Sequence, residues 1–181
     1  MKKDVSYVLK LTLTLFLITA LVAASLAAVN AVTKPRIQAA KAEKTALAIE
    51  AVLPGGGEPV ESFKDPSGMV KKVYASDTGY ALEVESNGFN GPITMMVGVS
   101  TEGQVLGISI VSQTETAGLG AVSAAKTSAG QKFRDQYAGK SGPLAVNKDG
   151  GTVDAITGAT ITSRAVTAGV NAALAVAEAL G

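Results

Sequence analysis

The sequence predicts an α+β domain behind a single N-terminal transmembrane helix. Three observations predict it. An uncharged run near the N-terminus is long enough to span a bilayer. Further along, apolar residues alternate with polar ones over three consecutive stretches. Only then do apolar residues recur every three or four positions, so strand patterns and helix patterns come in blocks.

The composition narrows the chemistry before any motif is considered. With 181 residues, one compact domain plus an appendage is the natural expectation. The chain has no Cys and no His. That excludes disulfides, thiolate chemistry, Cys- or His-ligated zinc and a Ser-His triad. It also removes the usual neutral-pH base, so demanding chemistry points to a cofactor. The net charge is +1 and aromatic residues make up only 4%. Neither the basic face nor the stacking platform of a nucleic-acid binder is present, and no such partner is expected.

Lys2, Lys3 and Lys10 precede a run over residues 11–33 that contains no charge. As a helix it reaches roughly 35 Å, enough to cross the hydrocarbon core. A cleaved signal peptide is the competing reading, since Ala23, Ala24, Ser25 and Ala27 offer small residues. A signal's apolar stretch is usually about 7–15 residues, shorter than this one, which favours a retained anchor. Lys34, Arg36, Lys41 and Lys44 balance the lysines on the other flank, so charge alone leaves sidedness open. Pro35 suits the first turn of a new helix or a kink. Residues 36–53 read as helix, ended by Pro54 and Gly55-Gly56-Gly57, and residues 58–68 read as a loop. The expected partition is an anchor over 1–34, a helical stalk over 35–57 and a soluble domain over 58–181.

From Lys71 the period becomes two. Tyr80, Leu82 and Val84 mark one face of a half-buried strand, with Ala81, Glu83 and Glu85 on the other. Turn signals at Asn87-Gly88 and Asn90-Gly91-Pro92 lead to a second strand with Ile93, Met95, Val97 and Val99 on one face. Glu102-Gly103 leads to a third, lined by Leu106, Ile108 and Ile110. This is an antiparallel meander with one face on a core. Val122, Ala125, Ala129, Phe133 and Tyr137 then predict one amphipathic helix, closed by Gly139, Gly142 and Pro143. Residues 144–146 and 152–156, around Asp149-Gly150-Gly151, suggest another hairpin. Val166, Val170, Leu174, Ala177 and Leu180 stripe a closing helix. No internal repeat and no low-complexity tail is seen.

The stretch Asp154-Ala155-Ile156-Thr157-Gly158-Ala159-Thr160 stands where the chain enters that closing helix. The first N–H groups of a helix lack internal partners and carry the positive end of the dipole, which suits an ester-linked phosphate. Gly158 permits an unusual backbone angle and close approach. Ala159 leaves room beside the Thr160 hydroxyl, and Thr157 and Thr162 offer further hydroxyls. Asp154 would repel an anion, so its role is structural or the binding of a cation during attachment. Read on spacing alone, Thr160, Thr162 or Ser163 is simply a helix N-cap, Gly158 a turn residue and Asp154 an ordinary surface acid.

Those seven residues resemble the flavinylation motif of FMN-binding domains: Asp, two free positions, Ser or Thr, Gly, Ala, then Ser or Thr. Glu115-Thr116-Ala117-Gly118-Leu119-Gly120 is similar to the Glu-Thr-Pro-Gly-Leu-Gly loop of the same domains, with Ala117 in place of Pro. Gln131-Lys132-Phe133 fits the segment that follows. With the N-terminal anchor, the pattern resembles the G subunit of the Rnf electron-transport complex and, more distantly, the C subunit of the sodium-pumping NADH:quinone reductase. The likeness runs over residues 79–171 plus the anchor.

The resemblance implies FMN joined through its phosphate to Thr160, with Thr157, Gly158, Ala159 and Asp154 shaping that site. It implies Glu115, Thr116, Leu119 and Gly120 covering the flavin, and a separate flavin transferase that uses FAD as donor. It places the soluble domain outside the cytoplasmic membrane. The implied function is a covalent flavoprotein relay among the membrane subunits of a translocase coupling ferredoxin and NAD to ion transport. In that role it is an electron-transfer subunit rather than an enzyme by itself, with no catalytic residue and no metal ligand assigned. Two alternatives stand beside it: a stand-alone tethered flavoprotein serving another extracytoplasmic chain, and a cofactor-free anchored binding domain.

Overall fold

The structure, a computed structural model, describes residues 2–181, with side chains from Ser6 onward. Its elements are α1 (Lys2–Val52), β1 (Glu58–Val60), β2 (Val70–Ser76), β3 (Gly79–Asn87), β4 (Pro92–Ser100), β5 (Val105–Ser112), α2 (Ser128–Asp135) and α3 (Thr160–Leu180). Short 3-10 turns occupy Gly120–Ala124 and Asn147–Asp149. The chain divides into two compact units, Met1–Glu43 and Lys44–Gly181.

The first unit is helical throughout its described residues. From Ser6 it lies in a helix long and apolar enough to cross a membrane by length and composition. Thr12, Thr14, Thr19 and Ser25 return their hydroxyls to carbonyls one turn back, so these donors are not left bare on the apolar surface. The start of a new helix expected at Pro35 is not observed: α1 runs through it. Pro35 forgoes the N–H bond to the Ala31 carbonyl and its ring crowds that carbonyl, but the Ala-, Lys- and Glu-rich sequence beyond propagates the helix.

The second unit is built on one antiparallel sheet in the order β1-β2-β3-β4-β5. β3 and β4 pair without a break from Gly79↔Ser100 to Asn87↔Pro92. The alternation seen in the sequence is real on one face: Leu82, Val84, Ile93, Met95, Val97 and Val99 are fully buried beneath α3. α3 presents Val166, Val170, Ala173 and Leu174 to them. It comes so close that a Cβ on Gly169 would collide with Met95 Cε.

Six sequence expectations need correction. The other face of β3 and β4 is buried as well, because Ala48, Val52 and Leu53 pack on Ala81 and Met96. Residues 44–52, expected as stalk, are therefore part of this unit, and Glu83 is only 6% exposed. The loop expected over 58–68 contains the edge strand β1. Leu106 does not line the core but is exposed, since the register slips between the pairs Gly98↔Gly107 and Val99↔Val105. One residue of slip exchanges the faces of a strand, which puts Val105 inside. The single helix expected from Val122 to Tyr137 is broken, because Thr127 caps α2 by accepting the Gly130 N–H at 3.3 Å. The hairpin expected over 144–156 is a loop around one isolated parallel bridge, Val146↔Val153.

Two measurements check this packing. A Cβ on Gly98 would collide with the Val52 carbonyl oxygen, a backbone atom that cannot swing aside. Gly98→Ala should destabilise the domain by about 1–3 kcal/mol in chemical denaturation, and an unchanged midpoint would disprove the contact. Tyr137 is fully buried, bonds Thr167 Oγ1 at 2.8 Å, and burial pushes its pKa from 10.0 up to about 12. Its raised value means the folded state holds the phenolic proton after the unfolded chain has lost it. Stability is therefore complete below pH 10 and declines as pH rises from 10 to about 12. Tyr137→Phe should flatten that part of the stability profile, measured as the difference from the parent chain.

Candidate functional site

α3 starts one residue earlier than the capping alternatives would have it. Ala159 is the N-cap, at φ −131 and ψ 45, and no side chain caps the helix. Neither Thr160, Thr162 nor Ser163 fills that position. The first amide to bond is that of Ser163, to the Ala159 carbonyl at 3.0 Å. The N–H groups of Thr160, Ile161 and Thr162 precede it and have no intrahelical acceptor. Thr160 is half-buried, and its hydroxyl makes no hydrogen bond among the described residues. A free hydroxyl thus sits on the turn where the helix dipole favours negative charge.

The turn that delivers Thr160 closes through the Ala159 N–H to the Ile156 carbonyl at 2.9 Å. Gly158 occupies it at φ +75, where a side chain would be strained. A Cβ there would also lie 3.0 Å from Leu119 Cδ2. The two motif loops therefore touch at Leu119 and Gly158.

They are joined more firmly below the surface. Glu115 is buried, accepting the Asn90 N–H at 2.8 Å and the Thr162 hydroxyl. Burial raises its pKa, but the Thr162 hydroxyl and the N–H groups of Asn90 and Phe89 outweigh that and hold the carboxyl below its ordinary range. Gly120 is obligatory at this joint, because its Cβ would lie 2.5 Å from both Glu115 Oε2 and Thr162 Oγ1. Asn90 and Thr114 bond each other's carbonyls at 2.8 and 3.2 Å, extending the joint to the β3–β4 turn.

Around the opening, Leu119 and Ile161 remain 43% and 49% exposed. Thr116, Thr157, Gly158 and Asp154 are exposed or half-buried, and Ala159 and Gly120 are buried. Asp154 and Thr157 also line a cleft of about 460 Å³ with Gly118, Val122, Ala129, Lys132, Phe133, Gln136, Ala155 and Ile156. Thr160, Glu115, Thr116, Leu119 and Gly120 do not line it. A slightly larger cavity, about 540 Å³, lies at the opposite end of α3, by Leu174 and Glu178. Arg164, in the first turns of α3, is held by Asp149 through Nε and a terminal nitrogen at 2.7 and 2.5 Å. Its guanidinium keeps the Asp149 carboxyl below the usual range.

Three contributors escaped the sequence reading in these roles. Gln136, Asn147 and Ser163 hold the backbone of residues 154–156. No periodicity links them, and a side-chain amide 18 positions away leaves no local signal.

Comparison with known proteins gives the family. Residues 88–175 match the FMN-binding domain family. The chain is 33% identical to the G subunit of the Na(+)-translocating ferredoxin:NAD(+) oxidoreductase complex of Acetobacterium woodii, over 96% of this chain and 93% of the relative. It is 34% identical to the G subunit of the ion-translocating oxidoreductase complex of Stutzerimonas stutzeri, over 90% and 77%. Against the G subunit of the proton-translocating ferredoxin:NAD(+) oxidoreductase complex of Clostridium ljungdahlii it is 43% identical over 58% of each chain. The chain belongs to the family of Rnf G subunits of ion-translocating oxidoreductase complexes, with its FMN-binding domain over residues 88–175.

Proposed function

We propose that this chain is a membrane-anchored flavoprotein subunit that relays electrons within an ion-translocating oxidoreductase complex, with FMN esterified to Thr160. The observation that supports the attachment point is the unbonded Thr160 hydroxyl on the first turn of α3, beside amides that lack acceptors. The residues present fit the group. No side chain caps the first turn of α3, which leaves its amides open to a phosphate, and the cleft of about 460 Å³ beside Thr157 is of a size that takes small cofactors.

Each side chain then has a task. Thr160 bears the phosphate, and the amides of Thr160, Ile161 and Thr162 stabilise its charge. Thr157 offers a hydroxyl at the rim. Leu119, with Ile161, gives an apolar surface that excludes water, and Thr116 borders it. Glu115 and Gly120 act from beneath, fixing the loop to the helix. Asp154 would shape the segment that a flavin transferase engages. FMN, when bound, supplies the redox chemistry.

In this reading residues 1–34 anchor the chain, 35–43 connect, and the unit Lys44–Gly181 carries the flavin on the extracytoplasmic side. A tether keeps the cofactor from diffusing away, and the anchor raises its effective concentration near partner subunits. The names of the relatives specify sodium in one case and protons in another, so ion choice is not carried by the likeness.

Thr160→Ala, expressed with a flavin transferase, should leave no flavin fluorescence in the denatured band. Thr160→Ser should keep it, because the hydroxyl is what is esterified. Both should fold within about 0.5 kcal/mol of the parent, since the side chain makes no internal hydrogen bond. Fluorescence surviving in Thr160→Ala would refute the assignment.

A further inference from the structure

Residues 154–156 leave the bridge at Val153 with no strand to pair with among the described residues. Their three successive N–H groups all end on side-chain oxygens. Asp154 N–H bonds Gln136 Oε1 at 2.7 Å, Ala155 N–H bonds Asn147 Oδ1 at 3.4 Å, and Ile156 N–H bonds Ser163 Oγ at 2.9 Å. The three acceptors come from three places: the end of α2, the 3-10 turn and the first turn of α3. Gln136 also donates through Nε2 to the Asp154 carbonyl at 3.0 Å, and Asn147 Nδ2 donates to Asp154 Oδ1 at 3.1 Å.

Mere stability does not require this. Asp154, Thr157 and Gly158 lie at the surface, and water would satisfy an exposed connection. The arrangement gives an outward-facing segment one defined shape without a ladder. Gln136 is its strongest member, replacing both hydrogen bonds that a neighbouring strand would have made to Asp154.

We propose that Gln136 is a positioning residue for flavin attachment, its side-chain amide presenting residues 154–160 to the attaching enzyme in one conformation. The inference rests on the reading of Thr160 as the attachment point. In the reaction, Thr160 Oγ attacks the phosphorus on the FMN side of the FAD pyrophosphate. The Oγ–P bond forms, the P–O bond to the AMP half breaks, AMP leaves, and the hydroxyl proton passes to solvent. No electron changes hands. An enzyme that must close on this segment meets it already ordered; without the clasp, the ordering cost falls on the encounter.

The test follows attachment on the full-length chain in detergent, with purified flavin transferase and FAD, read by intact mass. Gln136→Met keeps the length and loses both bonds. It should lower kcat/KM for attachment roughly tenfold, mainly through KM, while Tm stays within a few degrees. The finished product should carry the same added mass as the parent's, since Thr160 is untouched. Gln136→Glu keeps an acceptor for the Asp154 N–H but turns the donor into a carboxylate oxygen facing the Asp154 carbonyl, so its rate should also fall below the parent's. Should Gln136→Met not fold, Gln136→Glu still decides: a rate equal to the parent's overturns the proposal. A parental kcat/KM in Gln136→Met overturns it too, while labelling of the parent at Thr160 leaves the attachment reading intact. If the parent itself gains no mass, that underlying reading falls as well.

Discussion

The buried carboxylate of Glu115 ties together two loops whose joined residues lie 47 positions apart. One oxygen takes the Thr162 hydroxyl and the other takes an amide from the β3–β4 turn. A buried carboxylate is costly unless its lone pairs are filled, and here each oxygen has a donor. The same contact holds the first turn of α3, on which Thr160 stands, against the Glu115 loop. Gly120 and Gly158 are the places where the two loops come too close for a side chain.

The sheet supplies the rigidity the joint needs. α3 is pressed onto one face by an apolar stripe and a close approach at Gly169, while the last turns of α1 fill the other face. A helix N-terminus is a useful anion site only when it does not shift, and 21 residues of α3 packed along β3 and β4 hold it in place. Tyr137, Thr167 and Ser163 continue the hold through hydroxyls, since Thr167 Oγ1 donates to the Ser163 carbonyl at 2.8 Å. The interior of the helix and the turn that bears the site are thereby one hydrogen-bonded unit.

Much of this was legible in the sequence, and the rest failed for identifiable reasons. The α+β class, β3 with β4, and the stripe of α3 follow from local period, which reports burial on one face. The second buried face was invisible because Ala81 and Met96 are covered by residues 48–53, a pairing that no local window contains. Leu106 was misplaced because a bulge reverses the alternation without changing composition. The break before α2 depends on one Thr127 cap inside a run of small residues that reads equally well as helix. At the site, Thr160 and Gly158 stand out because motif and backbone demand coincide there. Gln136, Asn147 and Ser163 did not, since clasps made by side chains across the fold have no spacing to read.

The claim on which the rest stands concerns a single oxygen. Trypsin should release residues 149–164, cutting after Lys148 and Arg164, and this peptide contains every hydroxyl of the motif. Fragmentation of that peptide from native membranes, in cells with an active flavin transferase, locates any added mass. The account predicts one FMN less one water on Thr160. A bare peptide, or the same mass on Thr157 or Thr162, would contradict it.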